Sequence, residues 1–173
     1  NPYFFSVMKF TSIRLLGLFV GAALLCATTL SGAEGGGEKK APYPSLGAPA
    51  NPLVKAQWNR YHDYGASTKL LQTLAAKYPK FAQLQSLGKT VDNRDMWVLT
   101  VTNFEKGDDH SRPAFWIDGA IHANEIQATE VVLYTAWYLL EARATNETVQ
   151  RLLDERVFFL MPMMSPDSRD AHF

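Results

Sequence analysis

Apolar positions along the chain switch between helical and strand periods, and the switches divide it into elements. Leu70, Leu71, Leu74 and Tyr78 recur three and four residues apart. With Ser67 ahead as a cap and Pro79 just beyond, the spacing predicts a helix from Ser67 to about Tyr78. Next, "FAQLQSLGK" alternates apolar and polar residues as a half-buried strand does, "TVDNRD" supplies a turn, and "MWVLTVTN" is a second β-rich run. The two runs read as a hairpin. The polar loop "FEKGDDHSR" then leads into "PAFWIDGAI", a continuous apolar run suited to a buried strand.

A long helix is predicted from about Ile126 to Arg143. Val132, Leu133, Ala136, Trp137 and Leu140 line one face, and Glu130 and Glu141 lie off it. A shorter helix around Glu147 to Glu155 and a buried strand in "RVFFLMP" follow. A hairpin followed by strand–helix–strand implies an α/β sandwich, a mixed β-sheet flanked by helices. The sequence stops at "MSPDSRDAHF", directly after that last strand. Open α/β sheets normally continue at such a point, so the domain reads as truncated at its C-terminus.

The first 33 residues carry a different pattern. Lys9 and Arg14 precede an apolar run from about Leu15 to Ala27, which closes on Ser31, Gly32 and Ala33. That order is the pattern of a secretory signal cleaved after Ala33, with translation starting at Met8. The run is short of the ~20 apolar residues that a membrane span needs. Leu25 before Cys26 is unlike a lipoprotein cleavage site. Residues 34–52, "EGGGEKKAPYPSLGAPANP", are rich in Gly, Pro and Ala and read as a flexible linker or pro-segment. Residues 53–173 are then the folded part, and the protein is expected to be secreted or periplasmic.

Composition narrows this little. The 47% apolar and 20% charged residues are those of a globular protein. Its 17 basic and 17 acidic residues balance, which gives no electrostatic case for nucleic acid as a partner. The single cysteine, Cys26, leaves with the signal, so no disulfide is expected despite an exported address. No oligomeric state can be read from the sequence.

Candidate chemistry sits in "IHANE". His122 and Glu125 stand three residues apart, where the "FWIDGAI" strand meets the long helix. Carboxyl ends of strands are where open α/β sheets place ligands. An imidazole and a carboxylate converging across a turn suit zinc. The same pair could equally be a polar cap on a strand-to-helix junction, and spacing alone does not choose. Asp118, on the strand before, could hold an imidazole N–H or face away. His62, His110 and His172 have no spacing that ties them to the pair and read as surface histidines. Arg94 fits a structural ion pair as well as a substrate contact.

The wider context resembles the zinc carboxypeptidase family of the carboxypeptidase A type. The similarity runs from about Trp58 to Arg169 and rests on four segments in order. These are "YHDY" with the helix ending "KYP"; "LQSLGKTVDNRDMWVLTVT"; "AFWIDGAIHANEIQATE"; and "VFFLMPMMSPDSRD". The resemblance implies a zinc-carboxypeptidase-like sandwich of which this is the N-terminal part, with His122 and Glu125 as two ligands of Zn2+. It implies a peptide or peptide-like substrate. Asn124, standing where many members carry a substrate-touching arginine, becomes a substrate-binding candidate. A third histidine ligand and the glutamate base are expected beyond residue 173, so no catalytic residue is identifiable here. Ser165 and Ser168 replace the Asn and Gly of the family's Asn-Pro-Asp-Gly turn, where Ser168 lacks glycine's freedom at positive φ, and Asn93 replaces a common glycine but tolerates left-handed geometry. The implied activity is that of an exported zinc-dependent metallocarboxypeptidase. Alternatives are a zinc-dependent amidohydrolase acting on small acyl-amino acids and a non-catalytic binding relative.

Overall fold

The computed structural model describes residues 47–172. The expected signal segment and most of the expected linker lie outside the described residues. Among the described residues, four α-helices and four strands follow in the order α1 (Tyr64–Lys77), β1 (Ala82–Lys89), β2 (Asp95–Val101), β3 (Ala114–Asp118), α2 (Ile126–Ala142), α3 (Glu147–Glu155), β4 (Val157–Met161) and α4 (Pro166–His172). The sheet order is β1-β2-β4-β3. Strands β1 and β2 form an antiparallel hairpin, β2 is antiparallel to β4, and β4 is parallel to β3. The parallel pair requires a long crossover, which α2 and α3 supply. The sheet is therefore mixed and flanked by helices, as the alternating periods imply.

One apolar cluster unites these elements. Leu70, Leu71 and Leu74 of α1, Val132, Leu133, Ala136, Trp137 and Leu140 of α2, and Val149 and Leu153 of α3 meet Leu99, Val101, Phe158 and Leu160 of the sheet. An extended segment ahead of α1 lies along α2. Glu141 accepts the backbone N–H groups of Leu53 and Val54 at 2.7 Å each, and Trp137 Nε1 donates to Val54 O at 2.7 Å.

The structure differs from the sequence expectations at five places. Helix α1 starts before Ser67: Asp63 is its cap, accepting from Ala66 N at 2.7 Å, and Ser67 is buried inside the first turn. Gly65, a weak helix former, disguised that start. Strand β3 is not buried. It is an edge strand, and Phe115 and Trp116 are 50% and 49% exposed, because the described residues offer β3 a partner on one side only. The residues after β4 form helix α4, so the chain does not stop directly after a strand. Ser168 lies within that helix and is not among the residues of positive φ, so glycine's freedom is not needed there. His62 is not a surface histidine: it is 6% exposed and bonded to Glu130. Asn93, by contrast, takes the left-handed conformation its turn requires, at φ 63°. Helices α2 and α3 stand where periodicity placed them.

Candidate metal centre

The site is built from the carboxyl end of β3, the loop after it, and the start of α2. Two backbone features shape that loop. A Cβ on Gly119 would lie 2.9 Å from the Ala128 carbonyl carbon and oxygen and 3.1 Å from Pro162 O, so only glycine lets β3 pass this close to α2. Ala120 follows at φ 52°, an uncommon conformation for a residue with a side chain. Glu125 is the residue before α2, and Ala128 N donates to its carbonyl at 3.1 Å. The chain thus turns sharply between Asp118 and Ile126, and His122 and Glu125 share the outside of the turn.

The turn brings the two side chains together. His122 Nδ1 and Glu125 Oε1 are 2.9 Å apart, and His122 N donates to Glu125 Oε2 at 3.1 Å. Both side chains are open to solvent, 72% and 41% exposed. The bond from the His122 ring, with that from its backbone N–H, holds the Glu125 carboxyl below its usual range; desolvation works weakly against it. Two ligands on a tetrahedral zinc ion at about 2.1 Å are roughly 3.4 Å apart. A nitrogen and an oxygen already converged to 2.9 Å are close to that separation. The donor set therefore fits two positions of a zinc ion.

The other candidates do not join them. Asp118 turns to its own strand and accepts from Trp116 Nε1 at 2.6 Å. His110 is exposed beside Asp109, and His172 is exposed on α4. Among the described residues the only three potential donors within 4.8 Å of one another are Asp108, Asp109 and His110. They lie on a polar turn where Asp108 caps His110 N. Asn124 is exposed between the paired residues. Arg94 is held in an ion-pair cluster, Nη1 to Asp92 and Asp167 at 2.9 Å each and Nη2 to Asp170 at 2.8 Å. That arrangement ties the β1–β2 turn to α4.

Sequence reasoning missed a polar cluster beneath this region. Glu130, on the second turn of α2, accepts His62 N and Nδ1 at 2.6 Å each. Fully buried Arg169 donates from Nη2 to His62 O at 3.3 Å. Glu130 was visible as a charge next to the apolar stripe of α2, the available signal for a buried partner.

A family model described as zinc carboxypeptidase matches residues 67–171, which contain the His122–Glu125 turn and all four strands. The chain belongs to the zinc carboxypeptidase family. Mouse carboxypeptidase M (Mus musculus) is 30% identical over 120 residues, covering 69% of this chain and 27% of that protein. Mouse carboxypeptidase D is 30% identical over 111 residues, 64% of this chain and 8% of that protein. The chain thus spans about a quarter of the first relative and less than a tenth of the second. Among solved structures, carboxypeptidase A from Helicoverpa armigera superposes with a TM-score of 0.59 at 21% identity, covering 66% of this chain and 27% of that one. The metallo-carboxypeptidase from Burkholderia cenocepacia gives 0.52 at 23%, covering 65% and 29%. At these identities the two structures show that the fold is that of the zinc carboxypeptidases. Among the described residues, no helix is long and apolar enough to cross a membrane.

Proposed function

We propose that this chain carries the N-terminal part of an exported zinc-dependent metallocarboxypeptidase, in which His122 and Glu125 are two of the zinc ligands. The observation that carries the reading is the 2.9 Å approach of His122 Nδ1 to Glu125 Oε1, at an open turn inside the family-matched residues. His122 and Glu125 would hold the zinc ion, which would supply polarisation of a peptide carbonyl and a water of lowered pKa, toward ~7. The chain's own residues contribute position. Gly119 and Ala120 turn the strand end, and in the metal-free chain Glu125 holds the His122 ring toward the site. The exposed Asn124 side chain stands beside the pair and contacts the peptide or peptide-like substrate. The third ligand and the general base belong to sequence outside the described residues, and residues 53–173 are one portion of the catalytic domain. Export rests on the signal pattern ending at Ala33.

A zinc titration against a chromophoric chelator tests the ligands. The wild-type chain should bind one zinc ion, and His122→Ala and Glu125→Ala should each weaken binding at least tenfold. Unchanged zinc affinity in both variants would sink the assignment. For the whole protein, release of a C-terminal amino acid from a peptide distinguishes a carboxypeptidase from a deacylase of small acyl-amino acids, and no turnover would point to a binding relative.

A further inference from the structure

The pairing of β3 with β4 does not end where the strands end. Beyond the Asp118–Met161 pair, Gly119 N donates to Met161 O at 3.0 Å, Met164 N to Gly119 O at 2.8 Å, and Ser165 N to Ala120 O at 3.2 Å. The next acceptor along the loop is Ile121 O. The next residue on the other side is Pro166, which has no N–H to donate. Ser165 supplies the missing rung with its side chain: its Oγ donates to Ile121 O at 2.9 Å.

That rung acts on the peptide immediately before His122. The Ile121–His122 peptide is planar, so holding its two ends sets its orientation. Its oxygen is held by Ser165 Oγ, and its N–H by Glu125 Oε2 at 3.1 Å. The backbone from which the His122 side chain departs is therefore fixed from both sides. Without the hydroxyl, only the exposed Glu125 carboxylate would hold that peptide, and zinc would compete for the same carboxylate. Ser165 also opens α4, whose Asp167 carboxylate accepts from Thr90 Oγ1 and Arg94 Nη1. The hydroxyl is thus anchored to the sheet's hairpin and does not float on a free loop.

We propose that Ser165 is a positioning residue for the metal ligand His122: its hydroxyl takes the place of the N–H that Pro166 lacks and fixes the Ile121–His122 peptide so that Nδ1 faces Glu125. The inference rests on the zinc-ligand reading above and adds a residue that touches neither metal nor substrate.

The test uses the intact chain with Ser165→Ala, Ser165→Thr, His122→Ala and, as a control hydroxyl on α1, Thr73→Ala. Zinc affinity should fall roughly tenfold in Ser165→Ala, in line with other residues that orient a ligand. It should stay near wild type in Ser165→Thr, which keeps a hydroxyl, and in Thr73→Ala. Metal-free 15N NMR supplies the second readout: Ser165→Ala should shift the His122 amide and ring nitrogens, while signals from α1 stay in place. Unaltered His122 signals together with wild-type zinc affinity in Ser165→Ala would overturn the inference. Zinc binding that survives His122→Ala would overturn the ligand reading and this inference with it. His122 signals that move in Ser165→Ala would even then show that the hydroxyl orients the loop, which separates the two failures.

Discussion

Glu130 accepts two hydrogen bonds from one residue, the backbone N–H and the ring Nδ1 of His62, each at 2.6 Å. The first fixes the backbone just ahead of α1, and the second places the ring against α2. Arg169 lies in the same buried region. Desolvation lowers its pKa below the usual arginine range, and the charges of Glu130, Asp170 and Asp63 oppose that shift. Glu130→Gln would remove a charge that both partners use. Breaking a largely buried pair by deleting one member leaves the other uncompensated. We expect a loss of about 2–4 kcal/mol of stability, read as a lower urea midpoint at unchanged slope. A loss within the scatter of surface substitutions would show that the cluster is a passenger.

Gly119→Ala tests the close approach of β3 to α2. The added methyl would meet backbone atoms of Ala128 at 2.9 Å, and backbone cannot swing aside as a flexible side chain can. Either the strand end or the helix start must move, and the loop between them carries the proposed ligands His122 and Glu125. A destabilisation of about 1–3 kcal/mol is expected, together with weaker zinc binding. Wild-type zinc affinity in a folded Gly119→Ala variant would show that the turn tolerates the shift.

Much of this architecture was legible in the sequence because burial follows a period. Helix α2 starts and ends within a residue of its expected bounds, since Val132, Leu133, Ala136, Trp137 and Leu140 all face one core. Periodicity could not show which strand lies at an edge. Phe115 and Trp116 look like core residues in one dimension, and their exposure follows from the strand order, a long-range property. His62 was misjudged for a related reason: its partner Glu130 lies 68 residues away, so no local spacing links them. The His122–Glu125 contact is local and was visible, whereas the rung from Ser165 spans 44 residues and depends on a fold already formed.

Acid should loosen the tie between the β1–β2 turn and α4. Desolvation raises the Asp167 pKa, but bonds from Thr90 Oγ1, Arg94 Nη1 and Asp92 N outweigh it and hold the carboxyl below its usual range. A carboxyl whose folded pKa is depressed adds stability above its unfolded pKa of about 3.9. That contribution disappears as pH falls through the lower folded value. The wild-type chain should therefore lose stability on acidification below about pH 4, and Asp167→Asn should be less stable at neutral pH with a flatter acid limb. Asp95, lowered chiefly by its bond from Lys89, adds to the same slope, so Asp167→Asn should flatten the limb without abolishing it. Parallel acid limbs in the two proteins would remove Asp167 from the account.

The two proposed ligands, His122 and Glu125, are too few for hydrolysis. Hydrolytic zinc sites commonly use three protein ligands and keep a fourth position for water. Among the described residues, His122 and Glu125 belong to no group of three potential donors. An ion held by only one imidazole and one carboxylate would keep more of its own water shell and would exchange readily. The chain of 173 residues should accordingly bind zinc weakly and leave a synthetic peptide uncut. Sequence appended after Phe173 that brings a further histidine to the pair should tighten zinc binding before it produces turnover, because the base is a separate requirement. Chelator-sensitive release of a C-terminal amino acid by the 173-residue chain alone would overturn this, and would require a third donor and a base from this chain itself.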